Sequence, residues 1–214
     1  MIQYPPILVV DIETTSAHRG NAGIVEIGAI WLQPRDPLRP FWFEMKCRPH
    51  KDCEPHEDGA FAVNGCDWHN DPTVASEHEA IIAFADWIAL FEPDTKVIMA
   101  GHNVGQFDLV NLQAAFARQR GAYNVGLHWP FGIAVLDVHS LACQQAFLHD
   151  APIRNGGMKS GDIQSMLGLP IEPKPHRALC GALLEHRALW ELIWMGEDAV
   201  LPVALGELEQ RFLS

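Results

Sequence analysis

ILVVDIETT, residues 7–15, is the stretch from which the architecture follows. Four apolar residues in a row, without the alternation of a half-exposed strand, predict a short strand covered on both faces. The run ends in acids. Alternate residues of a strand share a face, so Asp11 and Glu13 point the same way, with Thr14 and Thr15 after them. Two carboxylates side by side repel unless they share a proton or a cation. A hard divalent ion such as Mg2+ or Mn2+ suits an all-oxygen pair. An acidic strand end facing water is the competing reading of a lone D-x-E.

Residues 24–32 (IVEIGAIWL) and 41–47 (FWFEMKC) read as further strands, and the turn-rich segment between them makes the first three a meander. Residues 50–75 read as an irregular excursion with one helical turn near residues 59–63. Ser76 and Glu79 form a capping box at the start of an amphipathic helix. Its buried stripe is read as Ile82, Ala85, Ile88 and Ala89, and Pro93 closes it. A strand at 96–100, a helix at about 105–119, a strand near 133–137 and a helix at 138–148 follow. A short helix at about 159–167 and helices near 177–195 and 198–212 complete the chain. Strands first, then helices alternating with strands, predict an α/β fold. Its centre is a mixed five-stranded sheet, three antiparallel strands and then parallel ones, flanked by helices in a single domain over residues 1–214.

Fifteen Lys and Arg against 27 Asp and Glu give a formal net charge of −12. That argues against a broad basic face gripping long nucleic acid. It leaves open local handling of nucleic acid, with metal ions offsetting carboxylates. No apolar run approaches the roughly 20 residues of a membrane span, and MIQYPP lacks the pattern of a signal peptide. Five cysteines, an odd number, fit a reducing compartment. A soluble cytoplasmic protein with no membrane partner is the expectation. The spacing of Cys47, His50, Cys53 and His56 raises zinc. Structural zinc ligands usually come as separated pairs, so a polar loop is the rival reading.

Two more motifs carry chemistry. In HNVGQFD, residues 102–108, a strand and a glycine lead into a helix, with His102 and Asn103 at the turn and Asp108 one turn in. In PHRALCGALLEH, residues 175–186, a Pro-flanked His176 precedes a helix, where it could be held as a base. Five residues later comes Gly181, which costs about 1 kcal/mol relative to alanine inside a helix, with no turn to require it.

The order D-x-E, then HNxxxFD, then HRAL resembles the DnaQ-like 3′–5′ exonucleases of the DEDDh class, which have a ribonuclease H-like fold. The resemblance runs from Ile7 to about Trp194 and includes IVEIGAI, the pair Leu136 and Asp137, and MLGLP at 166–170. It implies two Mg2+ or Mn2+ ions held by four acids, three of them matched by Asp11, Glu13 and Asp108. The fourth falls on Gly181. It implies that His176 takes a proton from the attacking water, and that the terminal phosphodiester of single-stranded or short DNA or RNA is cut. The products are nucleoside 5′-monophosphates released from a 3′ end. The family's terminal-nucleotide pocket maps onto Ile12, Thr14 and Thr15, onto Phe61, Val63 and Asn64, and onto Phe107, with His102 and Asn103 also able to meet substrate. Relatives work as homodimers or as polymerase subunits, which makes those the partners to consider.

Glycine at 181 should weaken one metal site while sparing the fold and the docking of a 3′ end. A loss of about 3 to 5 kcal/mol of transition-state stabilisation would slow cleavage about 100- to 5,000-fold. Three accounts stay open: a substitution made to trap a complex, a natural variant, or compensation by Glu185, one helical turn on along the same face. The second HRAL offers His186 and, five residues on, Glu191, but His186 would sit inside the helix with no loop to free it. A non-catalytic module that only docks a 3′ end is the alternative function.

Overall fold

The computed structural model describes residues 6–32, 41–53, 55, 57–66, 68, 71, 73–91, 96–123, 128–150, 153, 157–194 and 203–213. His56, Pro93 and the expected helix start at 198–202 lie outside the described residues. Six strands form one sheet: β1 (Ile7–Thr14), β2 (Ile24–Trp31), β3 (Trp42–Arg48), β4 (Ala75–Ser76), β5 (Val97–Gly101) and β6 (Phe131–Asp137). Their order is β4-β3-β2-β1-β5-β6. The β1–β2 and β2–β3 pairs are antiparallel, whereas β1–β5, β5–β6 and β3–β4 are parallel. The mixed sheet is the expected one, with a sixth strand, the two-residue β4, added at its edge.

Seven helices are described: α1 (Asp58–Asn64), α2 (Glu77–Phe91), α3 (Asp108–Tyr123), α4 (Val138–Leu148), α5 (Ser160–Met166), α6 (Ala178–Trp194) and α7 (Val203–Leu213). The capping box forms: Glu79 accepts from the Ser76 N–H and hydroxyl, and Ser76 Oγ accepts from the Glu79 N–H. The stripe of α2 is not the expected one. Ala80, Ile81, Phe84, Trp87 and Ile88 are its buried apolar residues, while Ala89 is exposed. Phe84 and Trp87 pack at a tilt against Phe43 of β3, and Trp87 meets Trp31 of β2, so this cluster sets the rotation of the helix. Glu77 is buried beneath it, paired with Arg118 of α3 at 3.0 Å.

The opposite face of the sheet positions everything that follows. Asp11, Gly28 and Glu44 lie side by side on β1, β2 and β3. A Cβ on Gly28 would sit 2.1 Å from the Ala178 carbonyl carbon and 2.2 Å from the Leu179 nitrogen. The glycine therefore lets the first turn of α6 rest its backbone directly on the sheet. Arg177, just before that turn, pairs with the fully buried Glu26 at 3.0 Å and with Glu44 at 2.7 Å. These contacts pin α6 across β3, β2 and β1.

Candidate functional site

A cleft of about 910 Å³ opens at the ends of β1, β5 and β6, beside the start of α6. Asp11, Glu13, Asp108, His176 and Gly181 all line it, as do Ile12, His102, Asn103 and Phe107. Residues separated by most of the chain thus converge on one concavity. Asp108 is the first residue of α3, not a residue one turn in, because the segment 102–107 forms turns first. Its Oδ1 accepts the Ile12 backbone N–H at 3.2 Å, which ties the helix to the edge of β1 between the two strand acids.

Thr14, Thr15, Phe61 and Asn64 do not line the cleft. The Thr14 hydroxyl donates to the Ser16 carbonyl and the Thr15 hydroxyl accepts from the Gly23 N–H, so both stabilise the turn after β1. Asn64 donates to the Thr14 carbonyl and accepts from the Cys66 N–H, holding α1 against that turn. Phe61, on α1, is 47% exposed and open to solvent. The Val63 carbonyl accepts the His176 N–H at 2.9 Å, so α1 also steadies the histidine loop.

Two further acids line the cleft. Glu172, in the loop before His176, sets its Oε2 3.5 Å from His176 Nδ1. Glu185, on α6, is only 8% exposed and lies beside Asp11 and Asp108. One of its oxygens accepts the His102 N–H. Its Oε2 and the Oε1 of Glu172 are buried with no hydrogen-bond partner. Glu185 is the acid one turn past 181 that the sequence offers as compensation, whereas Glu172, in a Pro-rich loop, carries no periodic signal. Arg19 and Lys159 supply positive charge on the cleft lining.

Burial of this many carboxyls has the expected electrostatic result. Burial first, then Glu172 and Glu26, pushes Glu13 up to about 8. Burial pushes Asp108 to about 7 and Glu172 to about 7. Asp11, partly buried and close to the charges of Glu185, Glu13 and Asp108, is raised well above the carboxylate range, and Glu185 is raised likewise. Burial and Lys174 lower His176, which keeps its imidazole neutral near neutral pH.

Such a cleft needs protons or a cation. Oxygen-only acids with two orphaned buried oxygens match the ligand preference of Mg2+ or Mn2+. The potential ligand atoms of Glu13, Glu172 and His176 all lie within 4.8 Å of one another, so those three residues could hold an ion.

Position 181 is not an open gap. A Cβ there would lie 2.1 Å from Asp11 Oδ2 and 2.9 Å from Asp11 Cγ. The carboxylate of Asp11 rests against the bare helix backbone where another side chain would begin. His186 is fully buried, its Nε2 3.2 Å from the Leu32 carbonyl, as its mid-helix position implies. Cys47 lies on β3 rather than in a loop, where its buried thiol donates to the Ile24 carbonyl at 3.1 Å. Trp129 packs edge-on against Phe116 and beside Phe131. Among the described residues, no helix is long and apolar enough to cross a membrane.

No family model and no curated protein matches the sequence. Solved structures do. E. coli exonuclease I in complex with a dT13 oligonucleotide is 15% identical, with a TM-score of 0.65, over 88% of this chain and 41% of that one. A second structure of exonuclease I superposes at a TM-score of 0.68 and 15% identity, covering 97% of this chain and 44% of that one. Cell-death related nuclease 4 gives 0.65 and 15% over 90% of this chain and 65% of its own. The chain therefore spans less than half the length of the exonuclease I structures it resembles. At this identity the likeness speaks to architecture, and the architecture of this chain is the ribonuclease H-like fold that those exonuclease structures share.

Proposed function

We propose that this chain is a metal-dependent 3′–5′ exonuclease that hydrolyses the terminal phosphodiester of single-stranded or short DNA or RNA. The observation that carries this reading is the convergence of Asp11, Glu13, Asp108 and His176 on one cleft, in the order and on the elements that the sequence motifs imply. Asp11, Glu13 and Asp108 would hold Mg2+ or Mn2+, which when bound would acidify the attacking water and offset charge on the phosphate.

The protein's own part is positioning and proton transfer. His176, neutral and tethered through its backbone to Val63, accepts the proton of the attacking water. Glu172 faces His176 Nδ1, so Nε2 is the nitrogen assigned to take the water's proton. As the new bond from water oxygen to phosphorus forms, the bond to the 3′ oxygen breaks and the last nucleotide leaves as a 5′-monophosphate. Phe107 and Ile12 offer apolar contact to the terminal bases, and base stacking of this kind contributes about 1 to 3 kcal/mol per base. Arg19 and Lys159 meet the phosphate backbone locally, which reconciles substrate binding with the acidic chain.

A 5′-labelled single strand, as DNA and as RNA, incubated with Mn2+ tests the reading. The expected result is a ladder shortening from the 3′ end that His176→Ala abolishes. Absence of shortening on both strands, or shortening indifferent to His176→Ala, overturns it.

A further inference from the structure

We infer that Glu185 supplies the metal-binding carboxylate that position 181 lacks, from one turn further along the same helix. The inference rests on the nuclease reading and specifies its site. Glu185 follows Gly181 by four residues, about 6 Å along the axis at 1.5 Å per residue. The longer side chain reaches back toward the cleft, as helical side chains lean toward the N-terminus. There it lines the same cleft as Asp11 and Asp108, within electrostatic range of both.

Three features of the surroundings serve this placement. Gly101, at the end of β5, clears the way: a Cβ there would lie 3.0 Å from Glu185 Oε2. The His102 N–H holds one carboxylate oxygen and leaves Oε2 buried and unpartnered beside Gly101. A buried carboxylate oxygen without a partner is costly unless a proton or a cation joins it. Gly181 completes the set, because its missing Cβ gives Asp11 the room to lie against α6. The glycine and the glutamate are thus two halves of one rearrangement: the acid moves one turn, and the vacated position accommodates Asp11.

Calorimetric titration with Mn2+ alone, on wild type, Glu185→Gln and Asp11→Asn, tests the inference without reference to activity. Wild type should bind Mn2+, and Glu185→Gln, equal in size and uncharged, should weaken binding about 10-fold or more. Glu185→Gln binding as tightly as wild type, while Asp11→Asn binds weakly, overturns the inference and leaves the nuclease reading standing. Wild type that binds no Mn2+ overturns both. If Glu185→Gln does not fold, Glu185→Asp keeps the charge and shortens the reach. Its Mn2+ affinity should fall below wild type, and unchanged affinity counts against the inference.

Discussion

Replacing Gly181 by alanine isolates the contact on which the cleft turns. The added methyl would lie 2.1 Å from Asp11 Oδ2, 2.9 Å from its Cγ and 3.5 Å from its Cβ. Heavy atoms at rest sit about 3.5 to 4 Å apart, so the carboxylate must swing away by more than about 1 Å. The flexible end of a side chain yields more easily than backbone, and an off-rotamer pose costs about 0.5 to 1.5 kcal/mol. Alanine returns about 1 kcal/mol of helix propensity over glycine. The two nearly cancel, and stability in urea should stay within about 0.5 kcal/mol of wild type. Cation binding has no such compensation. With Asp11 displaced, Mn2+ affinity should fall about 10- to 100-fold, or about 1.4 to 2.7 kcal/mol. Parallel urea melts in EDTA and Mn2+ titrations read both quantities. A Gly181→Ala protein that gains the full helix propensity and binds Mn2+ like wild type would refute the reasoning.

Two other predictions follow from the same geometry. Glu13, Asp108 and Glu172 have folded values near 8, 7 and 7 against ordinary values of 4.5, 3.8 and 4.5. The native state therefore holds protons that the unfolded chain releases, and cation-free stability should decline as pH rises from about 4.5 to about 8. Added Mn2+ should raise the melting temperature more at about pH 8 than at about pH 6; a cation-free melting temperature that is flat or rising across that window contradicts the assignment. Gly28→Ala should destabilise by about 3 kcal/mol or more, the upper end for overpacking, because its Cβ would meet α6 backbone at 2.1 to 2.3 Å. A loss below about 1 kcal/mol in a urea melt would mean that α6 does not rest on the sheet there.

The sequence was most legible where local pattern and position coincide. Asp11 and Glu13 follow from the two-residue period of a strand, and Asp108 from a turn that feeds a helix. The α2 stripe was not legible, because apolar residues cover much of that helix and the aromatic packing of Phe84 and Trp87, rather than the period, chose the inward side. Glu185 was hard to weigh for a related reason. Leu183, Leu184, Glu185 and His186 are all buried, so α6 has no polar face there on which a charged residue would stand out. Glu172 lies in a loop with no periodicity, and its role depends on how close the chain brings it to His176. Gly28 reads as a weak point in a strand until α6 is seen to need it. Gly181 suggests a loss on sequence alone, yet in three dimensions its consequence depends on Asp11 and Glu185 together.

The most direct measurement is anomalous diffraction from crystals soaked in Mn2+. The account predicts a manganese peak inside the cleft, ringed by carboxylates of Asp11, Glu13 and Asp108, with Glu185 joining the shell. Manganese bound only elsewhere on the surface, or no peak at saturating Mn2+, would contradict it.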